Sequence, residues 1–166
     1  MPLSDRLCFI AIALVGLLVF TAGVSAAGDP KEVDAILSAA ESVFQSMERR
    51  DLPVLWKGLS SATRQSIIRN VYKAVGKAGI TCSAEEIRAE FEKGGAIAQE
   101  YWGGYLSRFE PRSVLEQSRW SLGPVQKGRA AIILRYKKSD NDARIQMFLE
   151  EGAWKVGLDE TFSTRK

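Results

Sequence analysis

The 166 residues of this chain include no histidine, which turns the search for chemistry first to its carboxylates, phenols and thiols. That absence removes the commonest general base, the commonest metal ligand and every Ser–His or Cys–His nucleophile pair. Glu116 is the carboxylate out of pattern. Val114, Trp120 and Leu122 define an apolar strand face by alternation, and Glu116 and Ser118 fall on that same face. A buried carboxylate is costly unless paired or protonated, and desolvation raises its pKa toward the range a general base needs. Tyr136 and Tyr105 are the phenols expected near it, with Trp120 and Trp56 as aromatic walls. The candidate ligand pocket is therefore Glu116, Ser118, Trp120, Tyr136, Tyr105 and Trp56, and no member is assigned a catalytic role. The plainer alternative is that Glu116 lies at a frayed strand start and reaches water.

The other reactive groups have ordinary explanations. Cys82 has no base beside it in Ile80, Thr81 or Ser83, so it reads as a small hydrophobe with an unmodified thiol. Asp140-Asn141-Asp142 lacks the glycine and the terminal glutamate of a calcium loop and reads as hairpin-turn chemistry. Trp56, Tyr101, Trp102, Tyr105, Trp120 and Trp154 would line a cavity or, more simply, fill a core. Gly94-Gly95 and Gly103-Gly104 are not phosphate loops, since no Gly-Lys-Ser/Thr follows either pair. No metal set and no cofactor are expected. Arg135, Lys137, Lys138 and Arg144 suit a solvated sheet face better than an anion site. With 23 basic against 20 acidic residues, the net +3 is too small and too evenly spread to imply a nucleic acid partner.

These residues need elements to hold them. Asp29-Pro30-Lys31-Glu32 starts a helix with a capping carboxylate and a first-turn proline. Its stripe, Val33, Ile36, Leu37, Ala40, Val43, Phe44 and Met47, recurs at spacings of three and four. Asp51-Leu52-Pro53 restarts a short helix, and Ser60 and Ser61 cap a third that stops at Gly79. Ser83-Ala84-Glu85-Glu86 is a capping box opening a fourth, which the glycine pairs are expected to break. From Ser113 the period becomes two. A first strand runs to a Gly123-Pro124 turn, a second carries Ala130, Ile132, Leu134 and Tyr136, and a third runs to Glu150. Glu151-Gly152 leads into a fourth strand with Trp154, Val156 and Leu158. A two-residue turn there sets Leu149 opposite Trp154; a bulge at Gly152 would set Phe148 there instead. Helices followed by an antiparallel four-stranded meander make an α+β domain, with helices packed on one sheet face.

The chain also carries an address. Residues 7–24 are uncharged and apolar, follow Arg6, and end in Val24-Ser25-Ala26-Ala27. That order predicts a secretory signal over residues 1–26, cleaved after Ala26 or Ala27, with an uncleaved membrane anchor as the alternative. Cys8 lies at the wrong end of the run to be a lipidation site. Residues 27–166 then form a single domain, long enough to bury about two-thirds of its unfolded surface without disulfides. The expected location is periplasmic or extracellular.

Two patches carry a resemblance. Met47-Glu48-Arg49-Arg50-Asp51-Leu52-Pro53-Val54-Leu55-Trp56 follows the first helix, and Ile145 through Val156 place an acidic-glycine turn before Trp154-Lys155-Val156. Together with the element order, they resemble small exported bacterial members of the NTF2-like superfamily. The resemblance implies a cone in which a curved antiparallel sheet wraps a long helix. That superfamily holds isomerases, dehydratases, transport factors and domains without known activity, so the fold does not choose a function. The first expectation is an exported, non-catalytic accessory or binding domain that holds a small apolar ligand or engages an envelope protein. The alternative is a small cofactor-free isomerase or dehydratase using a buried carboxylate and a tyrosine in the cone.

Overall fold

The computed structural model describes residues 29–137 and 141–162, so the apolar segment at 1–26 and Lys138, Ser139 and Asp140 lie outside the described residues. The helix starts form as their capping residues require. Helix α1 spans Pro30–Arg49, with the Asp29 carboxylate accepting from the Lys31 amide at 3.0 Å. Helix α2 spans Leu52–Gly58 behind Asp51, and α3 spans Ser61–Lys77 behind Ser60. Helix α4, Ala84–Lys93, opens on the complete capping box of Ser83 and Glu86. The following helix α5 spans Ala96–Leu106, so the break falls at Gly94-Gly95, while Gly103 and Gly104 continue the helix. Gly94 adopts φ 69, and a side chain there would press on Pro53, which lets the α4–α5 junction come close to α2.

The next segment departs from expectation. Pro111–Gln117 forms helix α6 where a strand was expected from Ser113. Proline suits the first helical position, Arg112 and Glu116 sit four residues apart and 3.9 Å from each other, and the Ser113 hydroxyl donates to Glu110. Pro111, Val114 and Leu115 stand at helical spacing, whereas the alternating face drew only Val114 as an apolar residue from this segment and rested on Trp120 and Leu122 beyond it.

The sheet then runs β1 (Ser118–Gln126), β2 (Arg129–Tyr136), β3 (Asp142–Glu150) and β4 (Ala153–Gly157), antiparallel in sequence order. Gly123-Pro124 is no turn; it lies inside β1, where the pairing with β2 shifts between Leu122 and Val125. The turn is Lys127-Gly128. Glu151 and Gly152 both take positive φ, 51° and 77°, the two-residue geometry whose twist matches paired strands. Leu149 therefore faces Trp154 and Met147 faces Val156. Leu158, expected in the last strand, instead begins the short helix α7 (Leu158–Phe162).

One sheet face is continuous. Trp120, Leu134 and Ala143 are aligned across it, as are Leu122, Ile132 and Ile145, and Ala130, Met147 and Val156. Helix α1 lays Ile36, Ala40, Val43, Phe44 and Met47 into the core against this face, and Leu55, Trp56, Ile87 and Phe91 complete it from α2 and α4. The architecture is an α+β domain with its helices N-terminal to an open four-stranded antiparallel sheet.

Candidate functional site

The interior is built from rings. Trp56 stacks on Phe91 with centroids 4.6 Å apart, and Phe91 meets Tyr101 edge-on. Tyr101, Trp102, Tyr105 and Phe109 follow one another along α5 and beyond, at 5.1–5.5 Å. Phe109 then meets Phe44, which stands perpendicular to Trp120 on the sheet at 5.6 Å. Eight rings thus run from α2 to β1. Each aromatic pair adds about 0.5–1.5 kcal/mol beyond the area it buries. Burial pushes the Tyr105 phenol up to about 12, with Tyr101 adding to it.

Three of the six expected pocket residues, Trp56, Tyr105 and Trp120, belong to this row, as its two ends and an interior member. The other three do not. Glu116 sits on α6 rather than on a strand, its side chain is 67 % exposed, and its carboxylate faces Arg112. A helix rotates successive residues by about 100°, so Glu116 does not share the buried side that strand alternation would have given it. Ser118 opens β1 opposite Tyr136, whose hydroxyl donates to the Gln117 side chain. The Trp120 indole donates to the Val114 carbonyl at 3.2 Å, which ties α6 to the sheet. Ser118 and Tyr136 therefore share the sheet face of Trp120, one non-adjacent pair along, whereas Glu116 stands apart on the exposed side of α6.

A polar seam joins α3 to the end of the sheet. Glu150 accepts from the Ser61 amide at 3.0 Å and the Ser61 hydroxyl at 2.9 Å. Glu160 accepts from the Ser60 hydroxyl at 3.0 Å and the Thr63 hydroxyl at 2.8 Å, while the Asp159 amide donates to Thr63. Carboxylates beside the first turn of a helix satisfy its orphan donors and complement its dipole, so the seam is a structural clamp.

A cleft of about 290 Å³ opens where the α1–α2 and α4–α5 junctions meet. Arg50, Leu52 and Pro53 line one side, and Lys93, Gln99 and Trp102 the other. Two features there are costly. Arg50 ends α1 in the left-handed region at φ 57, a conformation disfavoured by roughly 1–2 kcal/mol for a residue other than glycine. Trp102 is 1 % exposed, and its indole nitrogen has no hydrogen-bond acceptor among the described residues, a loss on the order of 1–3 kcal/mol. Lys93 is held by Glu90 at 2.6 Å, whereas Arg50 makes no ion pair with a described residue. Sequence reasoning named Trp102 as an aromatic but missed the cleft. The available signal was an arginine where a helix end favours glycine or asparagine, just before the Asp51-Leu52-Pro53 restart.

Cys82 is half-buried with its sulfur 3.7 Å from the Ser83 carbonyl, and partial desolvation followed by the Glu86 carboxylate pushes its thiol up. That is the opposite of an activated nucleophile. Among the described residues, no group of three or more acidic, cysteine or histidine side chains is placed to hold a metal, and no helix is long and apolar enough to cross a membrane. No protein-family model matches the chain, and neither a curated protein nor a solved structure is significantly similar to it.

Proposed function

We propose that this chain is an exported, non-catalytic binding or accessory domain of NTF2-like architecture, engaging its ligand or envelope partner from outside a filled cone. The row of eight rings carries this reading. The space that a catalytic cone leaves open for substrate is taken up here by Phe44, Tyr105, Phe109 and Trp120, packed between helices and sheet. Helices followed by a four-stranded meander support the architecture, and the signal-like order of residues 1–26 supports export. The isomerase or dehydratase alternative asks for a buried carboxylate. The buried polar side chains among the described residues are Ser46, Ser60 and Thr63, and Glu116 lies in solvent.

Two measurements test the reading. Intact mass of protein recovered from the periplasm or medium of expressing cells should place the N-terminus at Ala27 or Gly28; retention of residues 1–26 in the membrane fraction would overturn export. Benzene, an uncharged probe for an apolar cavity, should leave the thermal unfolding midpoint unchanged. A saturable rise with benzene would mean that the cone is open.

A further inference from the structure

We infer that the sheet face turned away from the helices docks on an anionic phospholipid surface, which deepens the binding-domain reading above and rests on it. Strand register gathers positive charge on that face. Arg119 and Arg135 stand side by side on β1 and β2, Arg144 occupies the next row on β3, and Arg129 and Lys155 flank Phe148 at the far end. All four arginines are exposed, and Arg129 lies over the Phe148 ring, 5.7 Å from its centroid. Asp142, the carboxylate in the row of Arg119 and Arg135, is already held by Arg135 at 2.8 and 2.9 Å. Glu150 and Glu160, toward β4, are taken up by Ser60, Ser61 and Thr63. Arg119 and Arg144 make no ion pair with a described residue.

The whole-chain charge conceals this patch. A net +3 is small and the helices carry both signs, whereas this face meets solvent with a strong excess of one. Alternation alone pointed to Arg135, Lys137 and Arg144 and to a solvated face; strand pairing adds Arg119, Arg129 and Lys155 to it. The layout favours a plane of phosphates over a single acidic peptide. Arg129 and Arg135 bound β2 at a separation of about 20 Å, and β1 to β4 spans about 14 Å. An extended peptide would meet one line of these cations, whereas lipid headgroups present anions in two dimensions. Guanidinium forks match phosphate oxygens, and each cation brought to an anionic membrane strengthens partition about fivefold.

The probe is a vesicle of equal parts phosphatidylglycerol and phosphatidylcholine, sedimented with protein recovered from exporting cells after its mass has fixed the N-terminus. The protein should co-sediment at about 0.05 M salt, be released at about 0.5 M, and stay in solution with pure phosphatidylcholine. Arg119→Gln/Arg144→Gln should weaken partition about twenty-five-fold with an unchanged thermal unfolding midpoint, because both side chains are exposed and unpaired. Lys73→Gln/Arg88→Gln makes the same change of charge on α3 and α4 and should leave partition within about twofold. No co-sedimentation at low salt would overturn the proposal, as would equal losses in the two double variants or equal binding to pure phosphatidylcholine. A protein that ignores the vesicles yet binds poly-L-glutamate through Arg119 and Arg144 would overturn it in favour of an acidic protein partner. Export with no vesicle binding would remove this inference alone. Salt-sensitive vesicle binding by a protein that still begins at Met1 would overturn cleavage and export while leaving the docking face in place.

Discussion

Trp56 and Ser60 lie four residues apart, yet they anchor regions held together in different ways. Trp56 begins a row of rings in which every member contacts the next at 4.6–6.1 Å and tilts range from stacked to perpendicular. Ser60 begins a seam in which each hydroxyl meets one carboxylate oxygen across about a hundred residues of chain. Dispersion and water exclusion scale with area and tolerate many relative angles, so the row stays packed without strict geometry. Hydrogen bonds between ions and hydroxyls depend on distance and direction, and an unmatched partner is penalised. The row therefore stabilises through buried area, and the seam fixes where α3 and α7 sit on the sheet.

Substitutions can break or sharpen this contrast. Trp56→Ala removes a 2 % exposed ring from the row and should cost about 3–5 kcal/mol, read from urea denaturation midpoints. A loss below about 1.5 kcal/mol would mean that the row is not packed as a unit. Tyr105 tests the row with pH. Its phenol is raised to about 12 in the fold against about 10 unfolded, so the folded state favours the neutral form. That contribution is complete below pH of about 10 and lost as pH rises toward about 12, at most about 2–3 kcal/mol. Alkaline unfolding of wild type should therefore steepen over that window, and Tyr105→Phe should flatten it.

On the seam side, Thr63→Val keeps the shape but leaves Glu160 and the Asp159 amide each short of a partner, at about 1–3 kcal/mol. A double-mutant cycle with Glu160→Gln should return a coupling of about 0.5–3 kcal/mol; additive effects would show that the seam carries no specific interaction. Ser83→Ala gives the smallest change, about 1 kcal/mol by thermal denaturation, because its capping box exchanges bonds with Glu86 alone. A loss as large as that of Thr63→Val would erase the distinction between local caps and the long-range seam.

What was legible followed the same division. Helix starts at Asp29, Asp51, Ser60 and Ser83 were readable because a cap and its amide lie two or three residues apart. The apolar stripe of α1 was readable because its period is intrinsic to the helix. The candidate pocket was legible only in part. Trp56, Tyr105 and Trp120 do meet through other rings, but Glu116 was placed by carrying the alternation of β1 back into a seven-residue helix. The register of the last hairpin stayed open in the sequence because a two-residue turn and a bulge both accept glycine, and pairing with β3 resolved it.

The sequence by itself determined the first four helices with their starts, the succession of four strands and most of the apolar faces they turn inward, all properties of neighbours within a turn or two of chain. Tertiary structure decided the rest. It chose helix for Pro111–Gln117, where Trp120 reaches back to Val114 and Arg112 reaches Glu48 on α1 at 2.7 Å. It kept Gly123-Pro124 within β1, where the glycine lies against the Ala131 carbonyl and a side chain would press on it at 3.1 Å. It brought Arg50 and Trp102 to one cleft and Ser60 to Glu160, pairs 52 and 100 residues apart. Local free energies in such segments are nearly balanced, so contacts made only after the chain has collapsed tip them.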